Sequence, residues 1–290
     1  MTDIARVDFP ITLGDFYLHF YTQRRPVVIR TSSVAELGWQ THLWSNEYLN
    51  FKAGAHEVLV LKRGGARLYE PEQSAYIPMP FRTFIQDVMA KPEGDSNTYL
   101  NLQTDKVMEP PLLQLLGDFS IPIYFKDVQL RSVNLWMGNS VQAITTPLHH
   151  DFNDNLYVVV EGRKRFSIFP PQQAPNLYPR GVLLGVDPNG NIRYQERDKL
   201  PHLAQVDIER PDMQRFPRYA EAAPQRMDFE VLANEMLFLP NGWFHQVTSV
   251  GRHIAVNFFA ETPPAEKLAS IHKTISERRA ARQAHKAAGT

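Results

Sequence analysis

The strongest constraint in this chain is how its apolar residues are cut into short pieces between about 98 and 260. Seven runs rich in β-branched and aromatic residues follow one another: Tyr99–Leu102, Val133–Met137, Leu156–Val160, Arg165–Phe169, Met236–Leu239, His245–Ser249 and Ile254–Phe259. Turn residues separate them. Such runs suit strands rather than amphipathic helices, and many short strands in series describe an antiparallel sandwich or barrel. The 22 prolines are spread along the chain, and no linker, tract or repeat stands out. One domain is expected over 1–263. It comprises an α/β flank at about 1–97 and a barrel at about 98–263, with a Pro-rich insertion at about 176–230.

The flank reads as mixed. Residues 12–23 suggest a helix beginning near Thr12, and Arg25–Arg30 a strand, because β-branched residues follow a proline that cannot sit inside a helix. Residues 34–50 suggest helix, with Ser45 as the N-cap of a second short one. His56–Lys62 reads as a strand, and Pro80 opens a helix. Glu161-Gly162-Arg163-Lys164 is expected to join two strands as a hairpin. Asp187-Pro188-Asn189-Gly190-Asn191 is a turn signal at a hairpin tip. The tail 264–290 reads as a helix over 264–286, with Leu268, Ile271 and Ile275 on one face.

Composition excludes several classes. Lys plus Arg and Asp plus Glu are each 31, so the formal charge is zero, which argues against a global grip on DNA or on an anionic membrane. Cys is absent, which removes disulfides, zinc fingers, thiolate clusters and a Cys nucleophile. The absence fits a reducing compartment, and a cytoplasmic location is expected. The N-terminal segment lacks the basic and then apolar pattern of a signal peptide. No stretch is apolar for the roughly 18 residues that a membrane span needs.

The informative stretch is Thr145-Thr146-Pro147-Leu148-His149-His150-Asp151. Alternation along an extended segment lets His149 and Asp151 face one point, with His150 turned away. By itself the triplet also fits a surface turn. A second histidine, His245, follows the Pro240-Asn241-Gly242 turn, and beside Trp and Phe it also fits a satisfied core histidine. Together the three make a two-His, one-carboxylate triad, the set that leaves positions open on Fe(II). Lys164 shares a face with Phe166 and Ile168, where an ammonium needs an anion. Equally, it sits in the basic turn Arg163-Lys164-Arg165, which would face water.

The stretch TTPLHHDFNDNLYVVVEGRKRFSIFPP, followed by LFLPNGWFHQVTS and IAVNFF, closely resembles the cupin-like branch of the Jumonji C 2-oxoglutarate oxygenases. That branch includes the asparaginyl hydroxylase inhibiting hypoxia-inducible factor. The likeness is strong over about 130–260, and weaker in RRPVVIR and in PDMQRFPRYAEA.

The resemblance implies a mainly β fold, the double-stranded β-helix or cupin jelly-roll barrel, with flanking N-terminal and C-terminal helices. It implies Fe(II) on His149, Asp151 and His245, with 2-oxoglutarate as co-substrate and dioxygen as oxidant. Thr146 and Lys164 would hold the distal carboxylate, with Tyr99 as a further candidate. Asn155 and Asn257 would hydrogen-bond near the co-substrate or metal. The implied activity is that of a dioxygenase, hydroxylating a C–H bond of a protein or peptide side chain. The alternative substrates are a small metabolite or a modified RNA nucleoside; a catalytically silent cupin-like binding module is the reading from another class. A histone-demethylase role is less attractive, because 290 residues leave little room for reader domains. Segments 56–80 and 176–230 are expected to border the mouth. The tail is read either as a homodimer element or as a helix packed on the barrel with a solvated basic end.

Overall fold

A computed structural model describes residues 3–63, 74–95, 97–102, 106–195 and 199–288. The flank opens with β1 (Ala5–Asp8), which pairs in parallel with β2 (Val27–Arg30). Between them α1 (Leu13–Phe16) is capped by Thr12, whose hydroxyl accepts from the Asp15 amide, and it runs on as a π-turn over Tyr17–Tyr21. The helix expected over 34–50 is broken. Two 3₁₀ turns, Val34–Leu37 and Thr41–Leu43, come first, and the former ends at Gly38 with φ +77°. Then α2 (Asn46–Ala53) starts, with the Ser45 hydroxyl accepting from the Tyr48 amide. Strands β3 (Glu57–Arg63) and β4 (Ser74–Pro80) pair antiparallel. Residues 64–73 of the expected mouth segment lie outside the described residues. Helix α3 (Phe81–Phe84) follows Pro80, and β5 (Thr98–Leu102) pairs with β3.

The barrel is built from β6 (Leu130–Thr145), β7 (His149–His150), β8 (Asp154–Glu161), β9 (Arg163–Phe169), β12 (Met227–Leu232), β13 (Glu235–Leu239) and β14 (Phe244–Ala260). The insertion contributes short helices α4 (Ala174–Leu177) and α5 (Tyr219–Ala222). It also contains the hairpin β10 (Leu183–Val186) and β11 (Ile192–Tyr194), turned by Asp187–Asn191.

Two expectations change. The runs His245–Ser249 and Ile254–Phe259 form one bent strand, β14. Its first half pairs with β9 and its second with β8, so β8 and β9 lie end to end along β14 rather than folding into a hairpin. The cause sits at the bends. Gly162 and Gly251 have φ +75° and +73°, and Asn234, between β12 and β13, has φ +72°. A Cβ on Gly162 would lie 2.4 Å from the Arg252 carbonyl oxygen, so only glycine lets these strands turn together at that level. β6 has a register irregularity opposite Ser249–Gly251 as well.

Bending the strands at one level folds the sheet over itself, which gives the jelly roll. Tyr157, Val159, Phe166, Ile168, Phe229, Val231, Leu237, Leu239 and Ala255 form the core between the two halves. The other side of Val133, Leu135, Val158, Val256 and Phe258 packs under the flanking helices. The insertion packs Leu177, Tyr219 and Phe216 on Phe169, Phe244 and Leu148. Helix α6 (Ala265–Ala288) buries Leu268, half-buries Ile271 and Ile275, and reaches the 12–22 segment through His272 to Thr22 and Arg279 to Asp15. Among the described residues, no helix is long and apolar enough to cross a membrane.

Candidate functional site

The barrel pairs β7 with the start of β14, setting His149 directly opposite His245. One ligand atom from each of His149, Asp151 and His245 lies within 4.8 Å of the others. His245 Nε2 is 3.5 Å from Asp151 Oδ2, and the two imidazole rings are 4.3 Å apart between centroids.

Each ring is oriented by the chain just before it. His149 Nδ1 lies 2.8 Å from the Pro147 carbonyl oxygen, and His245 Nδ1 lies 3.0 Å from that of Trp243. A carbonyl only accepts, so both Nδ1 atoms carry the proton and both Nε2 atoms present lone pairs. Burial lowers the pKa of both rings, that of His245 to about 4, which keeps them neutral, as ligation requires. The donor set therefore fits a first-row divalent metal with open positions, Fe(II) among them. His150, by contrast, turns into the insertion: Nδ1 donates to the Asp151 carbonyl oxygen, and Nε2 accepts from the Tyr194 hydroxyl at 2.8 Å.

Lys164 is fully buried, its alternation partners Phe166 and Ile168 are in the inner core, and its neighbours Arg163 and Arg165 are exposed. Its ammonium donates to the Tyr99 hydroxyl at 3.0 Å and the Ser249 hydroxyl at 2.7 Å. Among the described residues no carboxylate pairs with it, and burial pushes its pKa well below the ordinary value. Burial also pushes the Tyr99 phenol upward, so it stays protonated. The strand register sets Lys164 opposite Ser249 and Ile168 opposite His245. Four residues of strand, about 13 Å, thus separate the level of the ammonium from that of the triad. Thr146 lies between these levels: its amide donates to the Val247 carbonyl oxygen at 2.9 Å, and its hydroxyl accepts from the Val247 amide.

Asn155 and Asn257 meet elsewhere on the inner face. Asn257 donates to Asn155 Oδ1 at 3.0 Å and accepts from Trp136 Nε1 at 2.8 Å and from Asn134 at 3.1 Å. Sequence reasoning missed Ser249, His253, Asn134 and Trp136. Parity held the signal: Ser249 and His253 stand at even offsets from His245 on the same strand, as Asn257 does.

The cupin-like domain family matches residues 14–266, which contain every site residue above. The human protein described as bifunctional peptidase and (3S)-lysyl hydroxylase JMJD7 is 30% identical over 88% of this chain and 83% of that protein. Human tRNA wybutosine-synthesizing protein 5 is 28% identical over 88% of this chain and 77% of its own length. The Arabidopsis thaliana lysine-specific demethylase JMJ31 is 28% identical over 86% of this chain, which spans only 48% of that protein. A jelly roll that brings two imidazoles and a carboxylate to one point, with these relatives along most of its length, places the chain in the cupin-like, JmjC-type domain family.

Proposed function

We propose that the chain is an Fe(II)- and 2-oxoglutarate-dependent oxygenase that hydroxylates a C–H bond on a protein or peptide side chain. One observation carries this reading: a triad with both Nε2 lone pairs freed shares its barrel with a buried ammonium that has no carboxylate partner among the described residues. An unpaired buried ammonium is costly, which is why burial depresses the Lys164 pKa, and an arriving anion would offset that cost. A short dicarboxylate that also chelates a metal meets both ends at once.

In this reading His149, Asp151 and His245 hold the metal on one face. Lys164 and Tyr99 receive the far carboxylate through charge-assisted hydrogen bonds, with Thr146 along the path. Asn155 and Asn257 hold the adjacent wall. When bound, ferrous iron with 2-oxoglutarate and dioxygen supplies the oxidising chemistry, with succinate and carbon dioxide as co-products. The apolar inner core around Phe166, Val231 and Leu237 keeps water from that chemistry.

The protein-side-chain substrate is supported by the relative named as a lysyl hydroxylase. A modified RNA nucleoside is the second reading, favoured by the relatives named for tRNA wybutosine synthesis. The chain with Fe(II) and 2-oxoglutarate should produce succinate without added substrate, and His149→Ala should abolish it. Failure of the unaltered chain to do so would leave the silent binding module standing. Peptide and tRNA pools, read by mass spectrometry for one added oxygen, then separate the two substrate classes.

A further inference from the structure

The barrel holds one more polar group that the reading above leaves unused. His253 lies two residues beyond the Gly251 bend of β14 and is fully buried. Its Nδ1 donates to the Gly251 carbonyl oxygen at 2.9 Å, so the neutral ring presents a lone pair at Nε2, and that atom has no hydrogen-bond partner among the described residues. The register sets His253 opposite Gly138 on β6, and a Cβ on Gly138 would lie 3.0 Å from both Cε1 and Nε2. The missing side chain makes the space that the imidazole occupies. The ring also leans on Tyr99, with centroids 5.6 Å apart, and Tyr99 accepts the Lys164 hydrogen bond. Among the described residues, the charged and titratable groups acting on His253 are Lys164 from β9, Arg252 from its own strand and the neutral Tyr99 phenol from β5. Each of these is cationic or neutral.

An uncompensated buried acceptor is unfavourable until something arrives to pair with it. The ring stands against Tyr99 and within the field of Lys164, so a carboxylate that reaches Lys164 arrives beside a neutral ring with an unpaired acceptor. With a proton there, the ring becomes a donor. We propose that His253 is a further binding residue for the far carboxylate of the dicarboxylate, taking up one solvent proton at Nε2 as the anion enters and donating it in a hydrogen bond. The inference rests on the 2-oxoglutarate reading of the pocket. Burial, then the Lys164 charge, hold the free ring's pKa well below its ordinary value, so it enters the encounter neutral. The incoming negative charge reverses that balance.

Calorimetric titration of 2-oxoglutarate into the Zn(II)-loaded chain, in two buffers of different ionisation enthalpy, reads the proton directly. The expected result is uptake approaching one proton at pH 7. The affinity should weaken up to tenfold per pH unit until the bound ring itself deprotonates. His253→Gln keeps an N–H donor but cannot titrate, so it should bind with little uptake and a flat pH profile. Uptake unchanged in His253→Gln assigns the proton elsewhere, to Lys164 first, and overturns the inference. Ring NMR of the unaltered chain needs no variant: the His253 signals should move to imidazolium values when 2-oxoglutarate is added, and unmoved signals overturn it. If 2-oxoglutarate does not bind at all, the oxygenase reading falls first and this one with it.

Discussion

The metal end and the ammonium end of the pocket are built by opposite means. At the metal end each imidazole is set by the carbonyl two residues before it, and the Asp is two residues from one of the rings. At the ammonium end Lys164, Tyr99, Ser249 and His253 come from three strands, and neighbours in space are far apart in the chain. The first end is local geometry brought together once, by the pairing of β7 with β14. The second depends on the register of the whole barrel. Removing a metal ligand should therefore disable metal binding while the fold persists, whereas a change at the other end should cost binding of the dicarboxylate and leave metal binding intact.

The largest effect is expected at the triad. His149→Ala or Asp151→Ala should weaken metal binding by roughly 100-fold or more, since even outer-shell partners are worth about 10–100-fold. Calorimetry with Mn(II) checks this. A melting temperature lowered by more than a few degrees in the metal-free variant would contradict the local view of this end.

Lys164→Met tests the other end. The variant should lose about 100-fold in 2-oxoglutarate affinity, on the order of 3 kcal/mol, while its Mn(II) affinity holds. It should also melt at the same temperature or higher, because an apolar side chain replaces a buried ammonium with no acid partner among the described residues. Marked destabilisation would mean that the ammonium is part of what holds the barrel closed.

Acid should act at the triad end and, in the same direction through His253, at the other. Burial pushes the pKa of His150 down to about 3 and that of His245 to about 4, against about 6.5 in an unfolded chain. Above about pH 6.5 both rings are neutral in either state and have no effect. Below it the unfolded chain takes up protons that the fold refuses. Stability should then fall, by up to about 1.4 kcal/mol per pH unit for each ring, until the folded pKa is reached. The metal-free chain should show this between about pH 6.5 and pH 4 by thermal melts, and His150→Asn should shallow the slope; equal slopes would remove His150 from the account.

The smallest effect is expected on the inner wall. Asn257→Ala leaves Trp136 Nε1 and Asn155 Oδ1 without this partner and Asn134 Nδ2 with the Ser132 hydroxyl alone, which should cost about 1–3 kcal/mol by urea unfolding. An unchanged unfolding midpoint would place this trio in contact with water rather than in the packed wall.

Much of the site is legible in the chain because its signals are short-range. The spacing of His149 and Asp151, the turn before His245 and the Ser45 cap each depend on a few adjacent residues. Lys164 shows where that legibility ends. The sequence offers a basic turn or an inward face, and only the finding that β8 and β9 lie end to end along β14 chooses between them. The hairpin expectation failed for the same reason: Gly162 looks like a turn residue, and its positive φ serves a bend shared with Gly251 and Asn234. The broken 34–50 segment is local again, since Gly38 ends its first turn in a left-handed conformation.

The sequence by itself determined the strand-rich character, the three ligand types and the alternation that puts them on one face, because side-chain direction along a strand follows from backbone geometry alone. The tertiary structure alone decided which buried groups share the inner space: Lys164 with Tyr99 and Ser249, and His253 in the gap above Gly138. Those contacts depend on register between strands distant in the chain, and a shift of one residue in that register turns every side chain to the opposite face.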